Sequence, residues 1–357
     1  MDIKNEAAWL VAEKARPLQV RPAPPPPPNL AANEVVIKVA FAAVNPTDYK
    51  MQDAPYFRVE YPFILGTDVA GTVVRLGSDV TRFRIGQRVI GHCDSLLTHK
   101  PARAGYQLYT VCRERLVCAV PDDLPLANAA VLPLGVDTAA AALFQNLALP
   151  LPLPLTPGPQ PTGRTVLVWG GSSSVGGCAV QLAVAAGMRV VTACGASNFE
   201  YVRSLGASEA FDHRSPDVVE QIAKVLKHGD CVVDCIGSAE TQRACGKLLG
   251  DIGGGTLPIV LWPQATFPSN VQPVLVNGLA PGFTEDELKG AWGTGAPEIG
   301  QAVWHDFMPT ALETGKFLAK PDPVILRGGL SKVQDGIDML RKGVSAQKVV
   351  IEIAGEP

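Results

Sequence analysis

Residues 165–177 carry the clearest chemical instruction in the chain. The apolar run Thr165-Val166-Leu167-Val168-Trp169 passes at once into the small-residue turn Gly170-Gly171-Ser172-Ser173-Ser174-Val175-Gly176-Gly177, and a helix is predicted over 178–187. A buried strand opening through such a turn onto a helix offers backbone N–H groups and the positive end of the helix dipole to a phosphate. That is how a dinucleotide pyrophosphate is held. Glycines at 171 and 176 fit Gly-x-Gly-x-x-Gly, while Ser173 takes the middle place, where a missing side chain usually lets the backbone approach.

The next strand, predicted over 189–193, should end beside the adenosine ribose. An acid there would bond the 2'-hydroxyl of NAD, but the chain reads Ala193-Cys194-Gly195-Ala196-Ser197-Asn198, with no acid before Glu200. This favours NADPH. Ser197 and Asn198 can donate to a 2'-phosphate, and His213 or Arg214, after the third strand, can add charge.

These residues need a parallel sheet to position them, and the pattern after 165 supplies one. Helices are predicted over 199–205, 216–226 and 239–249, alternating with strands over 209–211, 231–236 and 256–262. Such alternation implies helices on the faces of a parallel sheet. Ser215 and Pro216 are the predicted N-cap and first helical residue, Gly187, Gly206 and Gly229 the predicted stops, and Gly253-Gly254-Gly255 lead into the expected edge strand. The first 120 or so residues read differently: after an extended proline run at 22–28, strands are predicted over 34–44, 69–76, 88–91 and 109–120. The tail is predicted as a helix over 298–314, a strand over 323–326, a helix over 331–342 and a strand over 348–353. Between the helix that follows Pro133 and the first parallel strand, residues 149–163 hold six prolines, a length of loop that is often functional and also tolerated as a surface insertion.

At 357 residues the chain exceeds one ordinary hydrophobic core, so two domains are expected. A hydrophobic share of 47%, a charged share of 18% and a net charge of -3 argue against a nucleic-acid surface or an electrostatic membrane anchor. The start Met1-Asp2-Ile3-Lys4-Asn5-Glu6 is unlike a signal peptide, prolines and Asp137 interrupt the apolar stretch 124–155, and no targeting or spanning segment is expected. Eight scattered cysteines, several in apolar runs, read as reduced core thiols of a cytoplasmic protein.

Further motifs carry a family resemblance. Asn45-Pro46-Thr47-Asp48-Tyr49-Lys50, Gly66-Thr67-Asp68-Val69-Ala70-Gly71-Thr72-Val73, Gly86-Gln87-Arg88-Val89, Pro133, Gly135-Val136-Asp137-Thr138-Ala139, Gly329-Leu330 and Lys348-Val349-Val350 resemble, in that order, the medium-chain dehydrogenase/reductase superfamily. The match is to its zinc-free quinone-oxidoreductase and enoyl-reductase branch. The resemblance implies an α/β chain with a GroES-like substrate domain at 1–130, a doubly wound Rossmann domain for NADPH at 131–305, and a segment at 306–357 that returns to the substrate domain. Zinc-dependent alcohol dehydrogenases of the superfamily carry cysteine in place of Asn45 and Gly-His-Glu in place of Gly66-Thr67-Asp68, and neither Asn nor Thr is a competent zinc ligand. Without a Lewis acid, alcohol oxidation gives way to hydride addition to an activated carbon–carbon double bond.

Lys50, the proline-rich insertion and the serine-rich turn are similar to the stand-alone enoyl reductases that act in trans on fungal polyketide synthases. That resemblance implies hydride transfer from NADPH to the β-carbon of an α,β-unsaturated polyketide thioester. The acyl thioester would be presented by a carrier domain of a polyketide or hybrid synthase. It places Lys50 and Thr138 in catalysis, with Asn45 and Asp48 positioning their neighbours. It assigns cofactor contacts to Thr47, Ser172, Ser173, Ser174, Val175, Gly195, Ala196, Ser197, Asn198, His213, Leu261, Trp262, Val344 and Ser345, although Trp262 stands where a small polar residue is expected. No metal is implied, and a monomer is expected over a dimer. Two other readings are a zinc-independent quinone or enone reductase of free small molecules and a non-catalytic nucleotide-binding protein.

Overall fold

The computed structural model describes residues 4–55, 59–152, 159–288 and 293–356. It divides into two units, Met1–Leu134 with Leu312–Pro357, and Gly135–Ala311. The proline-rich stretch 149–163 falls partly outside the described residues, which omit 153–158.

The first unit begins with β1 (Asn5–Leu10), β2 (Gln19–Ala23), β3 (Glu34–Ala43), β4 (Phe63–Ile64), β5 (Asp68–Leu76), β6 (Arg88–His92), β7 (Tyr109–Arg113) and β8 (Val117–Ala119). The strand expected over 109–120 is broken by a helical turn at Glu114–Leu116, because its halves serve different partners: β7 pairs with β3 and β8 with β6. β3 is the hub. Glu34–Lys38 take β7 and Phe41–Ala43 take a strand from the chain's far end, while two register shifts keep β3 against β5 along its length. β1, β2 and β4 form a separate three-stranded sheet with none of the regular alternation a sequence pattern can detect.

In the second unit β9 (Thr165–Trp169), β10 (Arg189–Cys194), β11 (Glu209–Asp212), β12 (Cys231–Asp234), β13 (Gly255–Ile259) and β14 (Val271–Leu275) form one parallel sheet in the order β11-β10-β9-β12-β13-β14. Counted from β9 this is 3-2-1-4-5-6, the Rossmann order, whose direction reverses between the paired strands β9 and β12, the switch point beyond which such sheets bind their ligand. Leu167, Val191, Val232 and Leu257 pack against Ile222, Cys245 and Leu248 from the covering helices.

Several local expectations are corrected. The first helix spans Ser174–Ala185 rather than starting at 178, because Ser173 caps it, accepting the Gly176 N–H at 3.0 Å. The third helix starts at Val218 after Asp217, and Ser215 instead donates its hydroxyl to the Asp217 carboxylate. That helix ends at Ala223, so Gly229 lies in a later turn rather than at its stop. The strand after the three glycines, β13, is interior, and the edge is β14. Gly255 donates its N–H to Asn270 and Val276 donates to Ile259, so alternate residues 270, 272, 274 and 276 face β13. Pro273 therefore faces outward and leaves the open edge without a donor at its centre.

The chain returns through a helical run at Pro297–Gly300, Gln301–Phe307 and Met308–Glu313, then β15 (Asp322–Arg327), a helix at Val333–Lys342 and β16 (Gln347–Glu352). β16 pairs antiparallel with β3 and closes the first unit's sheet. All eight cysteines are buried free thiols. The helical run Leu126–Asn146 has the length and apolarity of a membrane span, but it is largely buried within the protein.

Candidate active site

The two motifs of the first unit meet in space. Asn45 precedes the Pro46–Asp53 helix, and Asp48 in its first turn accepts the Asn45 N–H at 2.8 Å, the Gly66 N–H at 3.1 Å and the Tyr106 hydroxyl at 2.7 Å. Asn45 Nδ2 donates to Thr67 Oγ1 at 2.9 Å. Burial pushes the Asp48 carboxyl up to about 6 despite these donors, and Asp48 lifts the Tyr106 phenol, itself buried, further above its ordinary range.

Lys50 lies on the same helix, half-buried. Its ammonium has no hydrogen bond or ion pair among the described residues, and burial lowers its pKa. Both ends of its helix are anchored: beyond Lys50, Gln52 Nε2 donates to Gln334 Oε1 at 2.9 Å and Arg341 pairs with Asp53 at 3.0 Å. An ammonium held on a fixed scaffold, partly desolvated and unpaired, is suited to donating a proton or binding developing negative charge. Thr47 is half-buried in the first turn, Val344 packs at the edge of the core, and Ser345 is exposed.

In the second unit Ser172, Ser173, Ser174 and Val175 sit half-buried at the N-terminus of the Ser174–Ala185 helix, as a phosphate cradle requires. Gly176 cannot be anything else, since a Cβ there would lie 2.0 Å from the Gly170 carbonyl oxygen. At the end of β10, Arg214 Nη2 lies 3.7 Å from where a Cβ on Gly195 would be, with Asn198 Nδ2 and Ser197 Oγ each at 4.0 Å. Three donors thus surround Gly195, while Ala196 is exposed beside them. Arg214 also pairs with Asp212 at 3.2 Å. His213 is exposed, its backbone N–H donating to Cys194.

Thr138 is nearly buried and its hydroxyl has no hydrogen bond among the described residues. Its Oγ1 would be 2.5 Å from a Cβ on Gly278, so the missing side chain there makes its room. Next to it, wholly buried Asp137 accepts the Trp304 indole N–H at 2.5 Å. Leu261 and Trp262 fall in the turn after β13 rather than in the strand. Trp262 is 58% exposed on a rigid loop, since buried Gln242 donates to its carbonyl at 3.0 Å and accepts the Gln264 N–H at 2.6 Å. Structure thus groups Ser172–Val175 with Gly195–Asn198 in one unit and Lys50 with Thr47 in the other.

Sequence reasoning gave no role to Lys348, which is buried on β16 with Nζ 2.5 Å from Asn45 Oδ1 and 3.3 Å from Asp68 Oδ2. Its only signal was an Asp two places after Gly66 that had to find a counter-charge.

Comparison with known proteins places this architecture. Residues 31–122 match the alcohol dehydrogenase GroES-like domain and residues 174–304 the zinc-binding dehydrogenase domain. The trans-enoyl reductase himH of Aspergillus japonicus is 61% identical over 350 residues, 98% of each chain. The enoyl reductase component lovC of the lovastatin nonaketide synthase of Aspergillus terreus is 31% identical over 92% of each chain. Among solved structures, the CurK enoyl reductase shares the fold with a TM-score of 0.70 at 20% identity, covering 98% of this chain and all of that one. The chain belongs to the medium-chain dehydrogenase/reductase superfamily and, within it, to the fungal trans-acting enoyl reductases. Its cofactor is a nicotinamide dinucleotide. The zinc of the domain's description does not fit this donor set: the positions hold an amide, a hydroxyl and one carboxylate, the amide and carboxylate already take the Lys348 ammonium, and among the described residues no three His, Cys, Asp or Glu side chains converge.

Proposed function

We propose that this protein is a zinc-independent, NADPH-dependent enoyl reductase that saturates the α,β-double bond of polyketide thioesters presented by the carrier domain of a polyketide or hybrid synthase. The observation that carries this reading is the 61% identity to a trans-enoyl reductase along nearly the whole of both chains. A nicotinamide bound in the second unit supplies the hydride to the β-carbon. The protein's task is then to stabilise and protonate the resulting thioester enolate. Lys50 Nζ holds a proton on a fixed helix with its pKa lowered, and the Thr138 hydroxyl, unbonded among the described residues, can donate to the thioester oxygen or the cofactor. The Ser172–Val175 turn takes the pyrophosphate, with Leu261 and Trp262 beside the cofactor's path at the carboxyl ends of the strands. Arg214, Ser197 and Asn198 around Gly195 supply the donors for a 2'-phosphate, which supports NADPH. Thr47, His213, Val344 and Ser345 complete the proposed cofactor contacts.

The outward-facing Pro273 supports a single copy as the working unit, because a second copy's strand would meet a ring where it needs an N–H. Following NADPH oxidation with crotonyl and longer enoyl thioesters, and co-expressing the protein with candidate synthases, tests the function. Reduction of free quinones without activity on any enoyl thioester would support the small-molecule reductase instead, and cofactor binding without turnover would support a silent protein.

A further inference from the structure

A fully buried lysine is rare, and it is tolerated where its charge is matched. The Lys348 side chain is 4% exposed, and the carboxylate beside it, Asp68, is completely buried. Asp68 Oδ1 accepts the Leu134 N–H at 2.8 Å and the Thr67 hydroxyl at 3.3 Å, while Oδ2 has no hydrogen-bond partner among the described residues and faces the Lys348 ammonium at 3.3 Å. On its other side the ammonium donates to Asn45 Oδ1, whose amide nitrogen donates to Thr67. Lys348 thus closes a ring of four side chains. The ring ties β16 and β5 to Asn45, the residue from which the Lys50 helix springs. Asn45 and Lys348 are 303 residues apart in the chain, so no local contact can substitute for this one.

We propose that Lys348 is a positioning residue of the reductase: its ammonium fixes Asn45 and Asp68 and through them sets where the Lys50 ammonium stands. It touches neither substrate nor cofactor. The far end of the helix is held by Gln334 and Arg341 and its first turn by Asp48 on Gly66 and Tyr106, so loss of Lys348 leaves the helix formed but shifts its start at Asn45. This inference rests on the catalytic role given to Lys50.

The test uses Lys348→Met, which keeps length and removes charge, together with Lys348→Met/Asp68→Asn, which leaves no unmatched charge in the ring. In the double variant the thermal midpoint should recover toward wild type and NADPH affinity should stay within about twofold, yet kcat for an enoyl thioester should remain down by about tenfold or more, as expected for a displaced catalytic group. Lys348→Arg, which keeps the charge, should recover part of that loss. Independently of turnover, the rate at which an amine-reactive reagent labels Lys50, read by peptide mass spectrometry, should change in the double variant. Recovery of kcat along with the thermal midpoint, or Lys50 labelling identical to wild type, would overturn the proposal. If the wild-type protein lacks enoyl reductase activity, the labelling arm still decides whether Lys348 sets Lys50, so the two readings fail separately.

Discussion

Asp48→Asn probes the junction of the two motifs in the first unit, and its effect has a sign that depends on pH. The folded protein raises this carboxyl from 3.8 to about 6 by burying it, which corresponds to about 3 kcal/mol between protonated and ionised forms. A folded pKa above the unfolded one means the folded state binds the extra proton. The contribution is fully present below about pH 4 and is lost as the pH rises through 6, where a buried charge is forced on the site. In Asp48→Asn that dependence disappears. The amide oxygen can accept the Asn45 N–H and the Tyr106 hydroxyl, but its NH2 then meets the Gly66 N–H, donor against donor, at a cost of about 1–3 kcal/mol. The assay is the thermal midpoint of both proteins from pH 4.5 to 8, taken as a difference so that every other titrating group cancels. Wild type should lose stability relative to the variant as the pH rises from 5 to 7. A difference that stays flat over that range would refute the claim that Asp48 is protonated in the folded protein near pH 5.

Three further outcomes follow from the geometry. Lys50→Ala should keep NADPH binding and lower kcat by about 100-fold or more, the usual contribution of a general acid, and full activity would remove its role. Arg214→Ala should weaken NADPH roughly tenfold without weakening NADH, by loss of a charge-assisted bond; equal losses for both would show that it binds no 2'-phosphate. Gly278→Ala places a Cβ 2.5 Å from Thr138 Oγ1, so kcat should fall while the Kd for NADPH, measured by fluorescence titration, holds; unchanged kcat would separate Thr138 from the chemistry.

The parts that local pattern could specify were legible in the sequence. The strand Thr165–Trp169 has the bounds its apolar run implied, because a strand buried on both faces needs an unbroken run of such residues. The edge strand β14 of the same sheet gives no such signal, because Gln272 and Pro273 interrupt the apolar pattern of a strand that pairs on one side only, where neither defect is costly. The Ser215-Pro216 signal was overridden because Ser215 spends its hydroxyl on Asp217, two residues later. In the site, both the Asn45 and Gly66 motifs could be named and they bond directly, but the third donor to Asp48 is Tyr106, a residue with no motif of its own. Lys348 was illegible for a stronger reason. A lysine in a strand reads as a solvated side chain until the pairing of β16 with β3 places it against Asp68.

The serine at 173 has a consequence for how the protein lives between reactions. With its hydroxyl oxygen accepting the Gly176 N–H, the turn closes on itself and is held by a bond within the chain. A glycine in that place would leave the donor waiting for a phosphate and the loop's order dependent on the ligand. A reductase visited repeatedly by one growing acyl chain must shed a spent dinucleotide and take a fresh one at each visit. A turn that stays folded through the empty interval makes that reloading a matter of diffusion rather than of refolding a loop.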